Sequence, residues 1–289
     1  MPSSVSGRPE YVREQVNEHD FGVVNVPLTA WERIYGQPAV RKLLILVLLA
    51  GIWQVYALYL DNELLLPTFA DTVQSFLERT LTGEMPLKAW TSIKVLLQGY
   101  MVGLVLALAL TVLAVTTRIG NDLLETLTAM FNPLPAIALL PLALIWFGLG
   151  DPSLVFVLVH AVLWPVALNT HSGFLAVSNT LRMVGRNYGL RGLGYVARIL
   201  VPAAFPSILS GLKIGWAFAW RTLIAAELVF GASSGSGGLG WYIYESKNLL
   251  DIPAVFSGLF TVIIIGLLVE SLIFRKLEQH TVRKWGMQG

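Results

Sequence analysis

IKVLLQGYMVGLVLALALTVLAV, residues 93–115, holds a single formal charge, Lys94, beside its first residue. A helix rises 1.5 Å per residue, so about 20 apolar residues cross the roughly 30 Å of hydrocarbon in a bilayer. This run is long enough, and its lysine is close enough to one end to reach the interface along its own stem. It reads as a membrane-spanning helix. The same test picks out Leu43–Leu60 before it, and Leu123–Phe147, Leu154–Phe174, Ser207–Phe230 and Val255–Phe274 after it. The fold class is an all-α integral membrane protein of six spans, the third of them containing Pro133, Pro135 and Pro141.

Composition agrees. The 289 residues are 55% hydrophobic and 13% charged, with mean hydropathy +0.66, against about 25% charged in soluble domains. Too little polar surface remains to face water. A net charge of +2 argues against a nucleic-acid partner, and the absence of cysteine excludes disulfides, Fe–S clusters and thiolate metal sites. Residues 1–38 are polar, with no short apolar secretory region, and read as a cytoplasmic tail ahead of a transmembrane domain at 39–289.

Arginine and lysine orient the spans. Arg118, Arg182, Arg186, Arg191, Arg198, Arg275, Lys276, Arg283 and Lys284 fall on one side with the N-terminal basic residues, and Arg79, Lys88 and Lys247 on the other. The positive-inside rule puts both termini in the cytoplasm. Outside, Asp61–Trp90 contains Pro67 and a candidate amphipathic helix using Val73, Phe76, Leu77 and Leu81. Gly235–Gly240 reads as a flexible outer loop. It has no lysine, and no G-x-x-x-x-G-K-[ST] phosphate loop occurs elsewhere in the chain.

The inner loop, 176–203, is the most informative stretch. Asn179 is placed to cap a short helix with Leu181, Val184 and Tyr188 on one face, Arg182 and Arg186 on another, and Gly189 at its end. Such a stripe suits a groove in a cytoplasmic partner, although an ordinary basic juxtamembrane loop would read alike. Gly189 followed by Ile199-Leu200-Val201-Pro202 resembles the "EAA" loop of binding-protein-dependent ABC importer permeases. That pattern runs Glu-Ala-Ala, three residues, Gly, nine residues, Ile-x-Leu-Pro. Here Met183, Val184 and Gly185 occupy the Glu-Ala-Ala positions, and Val201 the leucine.

Further stretches are similar to the taurine, alkanesulfonate and nitrate branch of that family. They are Asn132-Pro133-Leu134-Pro135, Leu140-Pro141-Leu142, Trp146 to Gly150, Gly211-Leu212-Lys213 and Ala226-Glu227-Leu228. The resemblance implies a type I permease fold and a second permease copy, as a homodimer. It implies two cytoplasmic ATPase subunits that hold ATP and magnesium, and a soluble binding protein outside. The chain would bind no cofactor or metal and catalyse no reaction, in a bacterial cytoplasmic (inner) membrane. The cargo implied is a small anion of the sulfonate, nitrate or aromatic carboxylate type. Leu181, Met183, Val184, Gly185, Tyr188, Gly189, Ile199 and Pro202 would form the ATPase-coupling loop.

Ionisable residues inside spans cost at least about 2.5–3.5 kcal/mol, so each needs a reason. Lys94 can snorkel. Glu270 lies near Arg275 and Lys276, which suits a structural role, and His160 reads as a satisfied buried histidine. The fifth span carries Lys213, Arg221 and Glu227. Arg221 and Glu227 are about 240° apart around a helix and cannot pair. Lys213, Trp220 and Glu227 share a face, while Gly211, Gly215 and Ala219 make a small-residue ridge for close helix approach. As in the family, this span is expected at the dimer seam and along the path. Path candidates are Pro133, Pro135, Lys213, Trp220, Arg221 and Glu227, with Arg221 best suited to an anion. An ion-coupled secondary transporter or channel would call for paired acids and an internal repeat. A membrane enzyme would call for clustered ligands, whereas His160 and His171 are eleven residues apart.

Overall fold

The computed structural model describes residues 35–230 and 237–284, which fall into two units divided between Ile52 and Trp53. The expected tail therefore lies mostly outside the described residues, as do Gly235 and Ser236. The first unit, as described, opens helix α1 (Pro38–Leu60). Arg41 Nη1 donates to the carbonyls of Tyr35 (2.8 Å) and Gly36 (3.1 Å), tying the lead-in to the first turn.

In the second unit the chain turns after α1 and returns through α2 (Phe69–Leu81). Thr68 caps α2, its Oγ accepting from the Asp71 amide at 3.1 Å. Trp53 anchors the return: its Nε1 donates to the Pro67 carbonyl at 2.9 Å, and its ring lies 5.3 Å from Phe256 and 5.6 Å from Phe69. The apolar face of α2 is rotated from the expected one. Thr72 is fully buried and Val73 and Phe76 are half-buried, whereas Leu77 is exposed and Leu81 is 86% exposed. The arc Phe69, Thr72, Phe76 meets its neighbours α3 and α11, which leaves the 77–81 end of the stripe at the edge.

Helix α3 (Glu84–Thr116) extends the quoted run at its N-terminal end by more than two turns. Helix α4 (Arg118–Phe131) follows, and here the expected third span is broken. Its two halves, Arg118–Phe131 and Ala136–Phe147, meet at 88°. Pro133 and Pro135 lack amide hydrogens and disfavour helix in the residues before them, so four residues suffice to redirect the chain. Pro141 makes no kink, because it lies in the first turn of α5 (Leu140–Phe147), where a missing N–H costs nothing.

Helix α6 (Asp151–Leu175) is the centre of the core, with Val157, Leu158, Val162 and Ala167 fully or nearly fully buried. It packs on α3 on one side and on α9 (Phe205–Phe230) on the other. Both contacts are made by glycine. A Cβ at Gly103 of α3 would stand 2.8 Å from Val162 Cβ, and one at Gly215 of α9 would stand 3.0 Å from Val166 Cγ2. The Gly211–Gly215–Ala219 ridge is thus taken up within the chain by α6, and is not free for a second copy.

Before α9 come α7 (Asn179–Asn187) and α8 (Gly192–Ala203), which bends by 80° into α9. After it come α10 (Leu239–Asn248) and α11 (Ile252–Arg283), the latter wound as π-helix over Val269–Phe274 and Gln279–Arg283. Asp251 caps α11 by accepting from the Ala254 amide at 3.1 Å. Arg79 joins that cap to α3, pairing with Asp251 (2.5 Å) and Glu84 (2.9 Å). Among the described residues four helices are individually long and apolar enough to cross a membrane, and up to six spans result if each bent pair counts as one. The described residues are all helix and connection, without a strand.

Candidate functional site

The break at 132–135 opens a cavity of about 360 Å³ against α6 and α9. Its walls are residues 132–137, His160, Ala161, Trp164 and Pro165 of α6, and Phe218, Arg221, Thr222 and Ala225 of α9. Pro165 has no amide hydrogen, so the Ala161 carbonyl loses its helical donor at this wall. The Arg221 side chain donates from Nε to the Ala217 carbonyl at 3.0 Å, and its guanidinium lies 5.0 Å over the Phe218 ring. Among the described residues no carboxylate stands within ion-pair distance of it.

One more donor at this wall is unsatisfied. Trp164 is 6% exposed and its Nε1 has no acceptor, whereas His160 is held by the Phe131 backbone and leaves only Nε2 without a partner. The satisfied histidine expected from sequence is thus met at one ring nitrogen, by the Phe131 backbone, and not at the other. The rings hold each other in place: Phe131 stacks on Trp164 at 5.6 Å, and His160 meets Trp164 edge-on at 6.0 Å. An indole N–H can only donate and a guanidinium only donates. A buried donor left alone costs about 1–3 kcal/mol. The cavity is therefore a donor-rich, aromatic-walled space that favours an acceptor, above all an anionic one.

Of the expected path residues, the structure brings together Pro133, Pro135 and Arg221. The other three do not line this cavity, because each is engaged elsewhere. Lys213 pairs with Glu278 (2.8 Å) and Glu270 (3.7 Å) at the far end of α11. Trp220 is buried and donates from Nε1 to the Val262 carbonyl at 3.3 Å.

Glu227 is 3% exposed and sits in a polar knot. Its Oε2 accepts from the Gly240 amide at 2.8 Å, and Ser92 Oγ lies 2.8 Å from Oε1. Ser92 in turn accepts from the Leu239 amide at 2.8 Å. One carboxylate and one hydroxyl thus satisfy the first amides of α10, where the helix dipole also favours a negative charge. The described part of the expected flexible loop is accordingly fixed: Leu239 and Gly240 are buried, and a Cβ at Gly238 would collide with Glu227 and Ser92. Sequence reasoning missed Ser92, Trp164 and α10. For Ser92 the sequence offers only a serine at the edge of an apolar run.

At the arginine-rich end, α7 is capped by Ser178, whose Oγ accepts from the Leu181 amide at 3.4 Å. This corrects the expectation of Asn179, which is the first helical residue. The helix closes in a Schellman motif, with the Leu190 amide bonded to the Gly185 carbonyl (3.0 Å) and the Gly189 amide to Arg186 (2.9 Å). Gly189 adopts φ +73°, the left-handed conformation that glycine alone enters without strain.

Gly185 is buried, and its missing side chain admits Ile199, whose Cγ1 would lie 2.9 Å from an added Cβ. Leu181, Met183, Val184 and Tyr188 are exposed, Tyr188 at 82%, and Pro202 is exposed on α8. Arg182 is spent on structure, donating to the Phe174 carbonyl (2.6 Å) and the Val177 carbonyl (3.0 Å) at the end of α6. Among the described residues no group of three or more His, Asp or Glu side chains forms a metal centre.

Apolar spans, a donor-lined cavity at a proline break and an exposed apolar helix among arginines together define a polytopic membrane transport protein. Residues 91–281 match the binding-protein-dependent transport system inner membrane components, and the chain belongs to that family. It is similar to the taurine transport system permease protein of Escherichia coli K12, 30% identical over 81% of this chain and 85% of that protein. It is also similar to a putative aliphatic sulfonates transport permease of Bacillus subtilis, 28% identical over 90% of this chain and 95% of that one. The nitrate import permease of Synechocystis is 28% identical over 83% and 88%. The protein is a multi-pass permease subunit of a bacterial inner-membrane ABC importer.

Proposed function

We propose that this permease carries a small organic or inorganic anion, of the sulfonate, nitrate or aromatic carboxylate type, through a path that includes the cavity beside Arg221. The support is Arg221 without a carboxylate among the described residues, beside the partnerless indole N–H of Trp164. The relatives' named cargoes, taurine, aliphatic sulfonates and nitrate, are all anionic or carry an anionic group. Pro133 and Pro135 give the path its bend, and the two arms of that bend can change angle without breaking a continuous helix.

The chain works as a homodimer and performs no chemistry. Two ATPase subunits bind ATP and magnesium on the cytoplasmic side, the arginine-rich end, and a soluble binding protein delivers the anion outside. Residues 1–38 form the cytoplasmic tail and 39–289 the transmembrane domain. Docking of the ATPase falls to the exposed apolar side chains of α7, Leu181, Met183, Val184 and Tyr188. Gly189 and the Gly185–Ile199 contact hold that helix rigidly on α8, so that motion of the ATPase reaches α9 through Pro202.

The experiment is co-purification of the permease with its ATPase, followed by anion-stimulated ATP hydrolysis in proteoliposomes. Leu181→Asp with Tyr188→Asp should abolish co-purification while leaving insertion and cavity intact. A double variant that retains the ATPase and its stimulation would overturn the docking assignment.

A further inference from the structure

A second polar space lies at the arginine-rich end, apart from the cavity and from the exposed face of α7. Helix α3 ends at Thr116, α4 begins at Arg118, and α6 ends at Leu175. Between these ends and the 176–203 segment is a cleft of about 500 Å³, lined by Arg118, Arg182, Arg186, His171 and Asp122 among others. A further space of about 440 Å³ shares Val115, Thr116, Arg186 and Tyr195 with it and adds Arg191. Together they form one groove.

Arg182 is used by the fold, but several other polar groups of the groove are not. The Arg118 and Arg186 side chains make no hydrogen bond or ion pair among the described residues. His171 is 7% exposed yet has no hydrogen bond among them, and the Tyr195 hydroxyl is buried without a partner. The N-terminal end of α4 adds its dipole, with the Thr117 hydroxyl accepting only the Gly120 amide at 2.9 Å. Facing acids are few: Asp122 lines the cleft, and Glu125 acts on His171 from α4. Four arginines, Arg118, Arg182, Arg186 and Arg191, against one lining carboxylate leave a net positive groove.

Its walls are also apolar. Val115, Phe174, Leu175 and Leu200 line it beside the arginines, at the level where two spans end. A free inorganic anion has no use for an apolar wall, whereas a lipid has a phosphate for the arginines and acyl chains for the rest. Guanidinium forks match phosphate oxygens in pairs, and basic pockets between transmembrane helices on the cytoplasmic side take anionic headgroups. We propose that this groove is a binding site for an anionic phospholipid of the cytoplasmic leaflet, its phosphate held by Arg118, Arg186 and His171. The placement in that leaflet rests on the orientation given under Proposed function.

The test titrates the full-length, delipidated chain with phosphatidylglycerol and, separately, with phosphatidylcholine, counting bound lipid by native mass spectrometry. Wild type should prefer phosphatidylglycerol. The double variant Arg118→Gln, Arg186→Gln should bind it about thirtyfold more weakly, from about 1 kcal/mol per arginine, with phosphatidylcholine unchanged. Should the double variant fail to fold, Arg186→Gln alone, on the exposed α7, is expected to weaken binding about fivefold. Equal binding of the two lipids, or unaltered preference in the variant, overturns the site. Displacement of the lipid by inorganic phosphate at equal concentration assigns the groove to a free anion and overturns the lipid. Because binding is read in detergent, an inverted topology leaves these results untouched and would be seen by labelling from each side of oriented vesicles.

Discussion

Arg221 and Glu227 stand six residues apart on α9, and their surroundings differ in kind. Glu227 is enclosed, and its carboxylate is answered by Ser92 and the Gly240 amide. Arg221 is exposed to a cavity, answered by a carbonyl of its own helix and by an aromatic face. Both charges cost free energy to hold in a span. For Glu227 the return is structural, since hydrogen bonds to a charged group contribute about 1.5–3 kcal/mol each. For Arg221 little of the return lies within the chain, which is the condition of a residue whose partner arrives from outside. Membrane-embedded charge is thus sorted by what satisfies it, not by depth or residue type.

The largest break in this comparison comes from Glu227→Leu. It leaves the Ser92 O–H and the Gly240 N–H without acceptors and should destabilise the chain by about 3–5 kcal/mol, read as equilibrium unfolding in mixed micelles. An unaltered unfolding curve would mean that the knot does not hold α10. Ser92→Ala is a smaller cut: the Leu239 amide and one carboxylate oxygen lose a partner, for about 2 kcal/mol in the same assay. Should it cost as much as Glu227→Leu, the pair acts as one unit. Arg221→Gln should move stability least, within about 0.5 kcal/mol, while lowering ATP-driven anion uptake in proteoliposomes at least tenfold. A large loss of stability with uptake preserved per folded molecule would reverse the two roles.

Much of the helical layout was legible in the chain because hydropathy is carried by the residues of each run. Long apolar runs fixed where helices lie, and Gly189 was recognisable because a helix end of this kind demands a left-handed residue. Direction was not legible. Pro133 and Pro135 signal a break, but an 88° turn depends on what the second arm packs against. The seven-residue spacing of Lys213, Trp220 and Glu227 correctly reports one face of α9, yet spacing cannot name the neighbour. That face meets α11 and α10, so its polar groups find partners inside the chain. Helix α10 itself, LGWYIYESKN, is too short and too mixed to register as a span. Trp164 resembled core packing, because an indole shows its missing acceptor only once the surrounding walls are known.

The glycine seams on both sides of α6 have a mechanical consequence. At Gly103 and Gly215 the neighbouring backbones come close enough for Val162 and Val166 to occupy the space of an absent side chain. Sliding α6 by one residue would drive those valines out of their sockets and into the larger side chains next along, so α3, α6 and α9 resist shear and travel as one plank. The joints are then the bends of 88° between α4 and α5 and of 80° between α8 and α9. One flanks the cavity and the other adjoins α7. A stroke applied at α7 would therefore be delivered as rotation of a stiff lever about two hinges.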